Sequence, residues 1–525
     1  MPIRFKTPRG TRDLLPQEMR IFRYLESILR ETFESFGYSE VQTPIFELFD
    51  LFALRSGDEI RNTMFVFETG EGEMALRPEM TAPICRMIVE GKLDVSRKPI
   101  KVYYIARCFR YEEPQAGRYR EFWQAGCELM GSPYPEADVE VIELADRVLK
   151  KLGVKDYVIR LGDVALLRTY MESLGVNYEV QNKVLSTLDH VQSSINKLEV
   201  YINKLKDDGM LDKTEIIDLS ERAYNIERLK RRLRRYEVPA PFRQYLELDL
   251  EVYKVEDLSR DELIKFIERK IEELMILIPL ALAYEGLLIA GQRVRLPLRV
   301  AEVLSRALRA KGHDITEVIE RAEDLFGHVD KAKEEISRLE EIIELLKFLE
   351  VSNVLLDLGL ARGLEYYTGI VFEVHVPFLG AQSQVCGGGR YDKLVAEFGG
   401  PNIPAVGLAF GMDRLMLVLE KTMQVKLSEQ PLVMVVPVST KEIPAAIRIS
   451  SQLRQRGVRV FSELMRRSLK RSLSMADKLG ASVVIIVGEK ELREGKVVVR
   501  YMKERRQDIV KIEDLGKVVA CYLKS

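Results

Sequence analysis

A chain of 525 residues is too long for one ordinary hydrophobic core, so several domains are expected. Its 80 Lys+Arg nearly balance 81 Asp+Glu, so charge excludes a wholly basic or acidic character and leaves nucleic-acid contact to local surfaces. The 46% hydrophobic content excludes global disorder, and five scattered cysteines without a CxxC pair exclude a disulfide framework or a Cys/His zinc centre.

The N-terminus, MPIRFKTPRG, lacks the apolar stretch of a signal peptide, and with the scattered cysteines this gives a cytoplasmic expectation. Residues 17–36 show helical spacing, with Ile21, Leu25, Ile28 and Leu29 on one face. After Gly37, VQTPIFE reads as a strand containing Pro44; proline has no amide to donate, so this strand belongs at a sheet edge or interface. Residues 100–111 and 119–130 alternate as two strands around EEPQAGR, a long antiparallel hairpin, and 138–152 return to helix.

From about 163 to 350 heptad-like helices dominate and read as an insertion in a β-rich domain. The most apolar run, LMILIPLALAYEGLLIAG (274–291), holds Pro279 and Glu285; it is short for a membrane span and reads as a buried helix with a break. Strand texture resumes at 352–378. GGGRYDKLVAEF (387–398) reads as a glycine loop turning into a helix, and VGLAFGMDRLMLVLEK (406–421) as a strand running into one. KLSEQP (426–431) reads as a linker. Beyond it, strands alternate with helices, which predicts a small α/β domain with a parallel or mixed sheet, ending in one strand and one helix.

The hairpin RCFRYEEPQAGRYREFWQAGCE (107–128) is rich in chemistry. Arg110, Phe122, Gln124 and Glu128 share strand parity, so they face one side. An arginine fork binds two phosphate oxygens at once, so this floor suits a nucleotide; a solvated, salt-bridged hairpin has the same spacing. Gly387–Gly389 allow close approach of a ligand or make a tight turn, and they match neither a Walker loop nor a dinucleotide fingerprint. ARGLEYYTGIVFE (361–373) crowds Arg362, Glu365, Tyr366 and Tyr367 together, which a core strand rarely does and a binding site can use. Arg228, Lys230, Arg231, Arg232, Arg234 and Arg235 form a basic run that fits RNA phosphates or a solvated helix face, and RRSLKR (466–471) is a second basic stretch. The four histidines show no ligand spacing, so no metal site is expected.

The order of these pieces resembles the signature motifs of class II aminoacyl-tRNA synthetases. TPRGTRDLLP (7–16), ALRPEMTAPICR (75–86), FRYEEPQAGRYREFWQAGCELMG (109–131), ARGLEYYTGIVFE and CGGGRYDKL (386–394) together resemble histidyl-tRNA synthetases, and the RGLEYYTG phrase is specific to them. Residues 468–492 are similar to the anticodon-binding domain of that family. The resemblance implies an α+β fold: an antiparallel-sheet catalytic domain in two parts (1–165 and 351–425), a helical insertion (166–350) and a C-terminal α/β anticodon-binding domain (431–525).

It implies ATP-dependent activation of L-histidine and transfer to tRNA(His), with Mg²⁺ beside the polyphosphate and a homodimer as the assembly. Arg362 would act on the histidine carboxylate and the α-phosphate, and Arg110 on the α-phosphate. Glu128 and Tyr367 would bond the imidazole nitrogens, with Tyr366 shaping the pocket and Glu79, Thr81 and Gln124 taking the α-amino group. Phe122 and Arg414 would sandwich adenine, Glu112 would read its amino group and Arg118 would reach the γ-phosphate. Gln115 and Arg231, Arg232, Arg234 and Arg235 would meet tRNA. The family phrase most often has Asp where this chain has Glu365, which leaves that side chain without an assigned role. The rival within the fold is the synthetase-like regulatory subunit of ATP phosphoribosyltransferase. The presence of Arg110, Arg118, Arg362, Arg414 and the C-terminal domain favours the enzyme.

Overall fold

The computed structural model describes residues 5–54, 58–114, 117–207, 209–249, 251–289, 291–361, 366–422 and 431–524. They divide into two units, Met1–Gln424 and Val425–Ser525.

In the first unit, helix α1 (Pro16–Ser35) opens on a proline, whose missing amide costs nothing at a first position. Phe22, Leu25, Ile28, Leu29 and Phe33 bury one face; Ile21, expected there, is only half-buried. Strand β1 (Ser39–Glu40) follows. The VQTPIFE stretch is a strand only at Phe46–Leu48, so Pro44 precedes it rather than lying within it. That strand is an edge of a small separate sheet with Gly72–Leu76 and Val66–Thr69. Helix α2 (Thr81–Val89) leads to β2 (Ile100–Phe109) and β3 (Glu121–Met130), which pair antiparallel from Ile100↔Met130 to Phe109↔Glu121. Then come α3 (Pro135–Lys151), β4 (Val158–Asp163) and α4 (Val164–Ser173).

Four further helices fill most of the following stretch: α5 (Tyr178–Lys206), α6 (Lys213–Leu233), α7 (Arg260–Tyr284) and α8 (Leu298–Ala307). Helix α7 continues through Pro279 and ends at Tyr284, so the expected break falls after the apolar run's first part. No helix among the described residues is long and apolar enough to cross a membrane. Between α6 and α7 lies a buried ion network. Lys230 Nζ is 2.7 Å from both Glu227 and Glu273, and Lys270 Nζ lies 2.9 Å from Asp249 and Glu273. Losing one partner of such a set would strand a buried charge, so the network fixes how these helices meet.

Strand β5 (Lys311–Gly312), helices α9 (Ile315–Phe326) and α10 (Asp330–Phe348) and strand β6 (Val354–Asp357) return the chain to the main sheet, with α10 packed on α3 and α4. Strands β7 (Ile370–His375), β8 (Gln384–Arg390) and β9 (Ala405–Gly411) complete it before helix α11 (Met412–Thr422). The order is β1-β2-β3-β9-β8-β7-β4-β6-β5. Every pair from β2 to β4 in that order is antiparallel; β1 joins β2 and β6 joins β4 in parallel, and β5 closes the edge antiparallel to β6. The three glycines 387–389 therefore lie inside β8, not in a loop. A Cβ on Gly388 would stand 2.3 Å from the Gly407 carbonyl oxygen and 2.7 Å from the Phe372 ring, so close strand packing requires glycine there.

The second unit contains β10 (Val433–Pro437), α12 (Ile443–Gln455), β11 (Val460–Ser462), α13 (Leu469–Lys478) and β12 (Val483–Val487). Strands β13 (Lys496–Tyr501) and β14 (Arg506–Lys511) and helix α14 (Leu515–Lys524) end it. The sheet order is β11-β10-β12-β13-β14, with the first three parallel and the rest antiparallel. The mixed sheet was expected; the terminal strand is instead a hairpin of two.

Candidate active site

The hairpin β2–β3 sets the floor of a cavity of about 240 Å³. Its register pairs Ala106 with Gln124 and Cys108 with Phe122, so the even-numbered side chains Tyr104, Phe122, Gln124 and Glu128 line the cavity. Arg110 follows β2 on the same side, with its guanidinium carbon 5.2 Å from the Phe122 ring centre and its Nε donating to the Pro78 carbonyl at 3.1 Å.

Glu79, before α2, and Glu128, on β3, form a carboxylate pair. Glu79 accepts the Ala82 amide at 3.0 Å and the Thr81 amide at 2.5 Å. Thr81 Oγ1 donates to Glu128 Oε1 at 2.8 Å, and the Tyr391 hydroxyl donates to Glu128 Oε2. Burial is the main force on Glu128 and, with the Glu79 charge, pushes its carboxyl up to about 8 against the pull of the two hydroxyl donors. Burial likewise raises Glu79, although the two amides and Arg110 oppose it.

Away from this pair the cavity turns cationic. Arg414 opens α11, and burial followed by repulsion from Arg118 and Arg110 lowers its guanidinium to about 10. It stays charged at neutral pH, so three guanidinium groups share one concave space. Glu112 Oε2 accepts from Arg118 Nε at 2.5 Å; Arg118 is about half exposed, so this pair is worth at most about 1 kcal/mol and is readily opened by a ligand.

Glu79, Thr81, Arg110, Glu112, Arg118, Phe122, Gln124, Glu128, Tyr366, Tyr367 and Arg414, all expected at the site, line this one cavity. Arg362, Glu365 and Gln115 lie outside the described residues. Arg231, Arg232, Arg234 and Arg235 are exposed around the end of α6, and Arg232 pairs with Glu285 at 2.9 Å. Lys230 is not part of that basic surface, because it is buried in the ion network.

Sequence reasoning missed Tyr391, whose ring meets Tyr366 edge-on at 5.7 Å and whose hydroxyl holds Glu128. It stands in the GGGRY stretch that the sequence reading singled out only for its glycines. Arg77 was missed as well. It is buried, and its Nε and Nη1 donate to the Arg107 and Thr43 carbonyls at 2.9 and 2.6 Å, tying the segment before α2 to the hairpin.

A largely antiparallel sheet with one arginine after a hairpin strand and another opening the helix after β9 is consistent with a class II aminoacyl-tRNA synthetase. A family model described as histidyl-tRNA synthetase matches residues 10–255 and 283–415, and one described as anticodon binding domain matches 432–522. The chain is 35% identical to the histidine–tRNA ligase of Methanocaldococcus jannaschii, covering 98% of this chain and 99% of that one. It is 36% identical to that of Pyrococcus furiosus, again over 98% and 99%. In structure it resembles the crystal structure of histidyl-tRNA synthetase from Nostoc sp. PCC 7120, with TM-score 0.61 and 22% identity over 99% of each chain. The chain belongs to the histidyl-tRNA synthetase family.

Proposed function

We propose that the chain attaches L-histidine to tRNA(His) at the expense of ATP, through histidyl-adenylate. The observation that carries the reading is the division of one cavity into a buried Glu79–Thr81–Glu128 end and an Arg110–Arg118–Arg414 end. An amino acid with a polar ring fits the first, and a polyphosphate fits the second.

In the first half-reaction a histidine carboxylate oxygen attacks the α-phosphorus of ATP; the bond from that phosphorus to the bridging oxygen breaks, and pyrophosphate leaves. Arg110 and Arg362 stabilise the charge that builds on the α-phosphoryl oxygens, the kind of contribution that dominates many reactions of this type. Glu128 and Tyr367 hold the imidazole nitrogens, which discriminates against apolar rings because those would leave both groups unpaired. Glu79, Thr81 and Gln124 take the α-amino group. Phe122 and Arg414 enclose adenine, Glu112 reads its amino group and Arg118 meets the γ-phosphate. Mg²⁺ bound to ATP would neutralise its phosphates. A terminal ribose hydroxyl of tRNA then attacks the adenylate carbonyl carbon and releases AMP.

Residues 1–165 and 351–425 form the catalytic domain, 166–350 its insertion, and 431–525 read the anticodon. Arg231, Arg232, Arg234 and Arg235, with Gln115, meet tRNA phosphates. Ile45, Phe46, Leu48 and Phe67 are exposed together around the small sheet, and a second copy of the chain would cover them in a homodimer. The cytoplasm is the compartment. Attachment of labelled histidine to tRNA(His), assayed with and without ATP, is the test; histidine esterified only with ATP present is expected, and no charging by folded protein would overturn the proposal.

A further inference from the structure

Arg390, in the GGGRY stretch, does not line the cavity, yet it is a buried charge at the end of β8. Its side chain is 2% exposed, and that of its partner Asp138, on α3, has no exposed surface. The guanidinium finds an acceptor for each of its five N–H groups. Nε and Nη2 each lie 2.8 Å from Asp138 Oδ1. Nη1 donates to the Ser132 carbonyl and to Asp392 Oδ1, both at 3.1 Å, and Nη2 also donates to the Tyr134 carbonyl at 3.3 Å. Arg338 of α10 donates to the other Asp138 oxygen at 2.7 Å.

A buried arginine with its counterion stabilises a fold little more than an apolar side chain of the same size. What a fully bonded fork adds is position. Strand β9 lies between β3 and β8, and the neighbours Arg390 and Tyr391 both reach across it. Successive side chains of an extended chain point to opposite faces. Arg390 meets Ser132 and Tyr134, which follow β3, and Asp138 of α3, a helix packed against β9. Tyr391 lines the cavity and donates to Glu128 Oε2, on β3 itself. That bond passes β9 at Gly407, which pairs with Glu128 on one side and Gly389 on the other. The peptide joining the two side chains is held as well. The Arg390 carbonyl accepts the Thr368 amide at 2.8 Å, and the Tyr391 amide donates to the Ala405 carbonyl at 2.7 Å.

We infer that Arg390 is a positioning residue for histidine recognition: anchored to Ser132, Tyr134 and Asp138 on the far side of β9, it fixes where the Tyr391 hydroxyl meets Glu128. This rests on the reading of the cavity as the histidine site of a histidine–tRNA ligase. Arg390 acts through Tyr391, whose hydroxyl takes one oxygen of Glu128 and so orients the carboxyl for an imidazole nitrogen. Hydrogen bonds weaken steeply with misalignment, so a small displacement of the tyrosine lets the carboxyl turn. Lysine at this position would keep a charge beside Asp138 and lose the fork that reaches the carbonyls.

The test is histidine-dependent ATP–pyrophosphate exchange by the full chain, with the KM measured separately for histidine and for ATP. Arg390→Lys should raise the histidine KM roughly tenfold, about what one well-placed hydrogen bond supplies, and leave the ATP KM nearly unchanged. Tyr391→Phe should act in the same direction. The variant with both substitutions should be no worse than the poorer single variant, because both remove one interaction. A residue that only stabilised the fold would lower the melting temperature with a parental histidine KM, or raise both KM values together. Asp392→Ala covers a lysine variant that does not fold. The Asp392 side chain is 36% exposed, and losing its bond to Arg390 should raise the histidine KM by a smaller factor with the ATP KM unchanged. A parental histidine KM in folded Arg390→Lys, or in Asp392→Ala where that variant stands in for it, would overturn the inference. Equal rises in the two KM values, or factors that multiply in the double variant, would do the same while the parent still exchanges with histidine. A parent without histidine-dependent exchange would overturn the underlying reading as well.

Discussion

Glu128 concentrates the chemistry of the cavity in one side chain. Its folded pKa of about 8 lies above the ordinary 4.5, so between these values the folded chain holds a proton that the unfolded chain has lost. The resulting stabilisation is fully present below the unfolded value and disappears as pH rises through about 8. Glu128→Gln cannot ionise, so its melting temperature should fall less than the parent's from about pH 5 to about pH 9 in the absence of substrates. Parallel curves for the two proteins would remove this account of the carboxyl. The same variant should raise the histidine KM and leave the ATP KM nearly unchanged; equal rises in both would show that the side chain does not face imidazole. Tyr391→Phe deletes a donor that favours ionised Glu128, so the pH window of stability loss should move upward while the histidine KM rises. Tyr391 also shows where residue-scale legibility stopped. Strand parity was enough to put Phe122, Gln124 and Glu128 together, but the partner of Glu128 comes from a segment 263 residues away, and no local pattern carries that contact.

Elements were legible where the side-chain period was clean. Alternation in 100–111 and 119–130 gave the hairpin, and apolar spacing gave α1. Strand β8 was misread because three glycines have no alternation to display; their reason is the approach of neighbouring strands. Similarly, the turn between β13 and β14 is built by charged residues, with Arg505 rather than a glycine in the left-handed conformation, so two strands read as one. Helix α7 survives Pro279, which is buried within it, and local sequence preference gave way to packing. The glycine argument can be measured. A Cβ on Gly407 would lie 1.8 Å from Glu128 Oε2 and 2.7 Å from the Cys127 carbonyl oxygen. Gly407→Ala should therefore cost roughly 1–3 kcal/mol in denaturant unfolding and raise the histidine KM by displacing the carboxylate. A variant with parental stability and parental KM would show that β3 and β9 have room to spare.

At the scale of the molecule, the residues proposed to activate histidine belong to the first unit, since the cavity is lined from Glu79 to Arg414. A chain ending at Lys421 should keep histidine-dependent pyrophosphate exchange, provided its assembly survives, and lose tRNA charging through the tRNA KM. Loss of exchange in a folded truncation would place part of the first half-reaction in the C-terminal unit. Neutralising Arg231, Arg232, Arg234 and Arg235 together should weaken tRNA binding mildly and reduce its salt dependence, each lost contact removing about one unit of slope. Parental charging at low and physiological salt would leave that run as a solvated helix face, a role that Arg232, already paired with Glu285, comes near to filling. The separation of a C-terminal unit from the rest was readable from motif order, whereas burial of Lys230 was not, because its partner Glu273 comes from another helix. The central claim is that the cavity activates histidine, and the measurement that meets it most directly is ATP–pyrophosphate exchange with each amino acid in turn. Exchange with histidine alone is predicted. Exchange supported by a different amino acid, or by none in folded protein supplied with ATP and Mg²⁺, would contradict it.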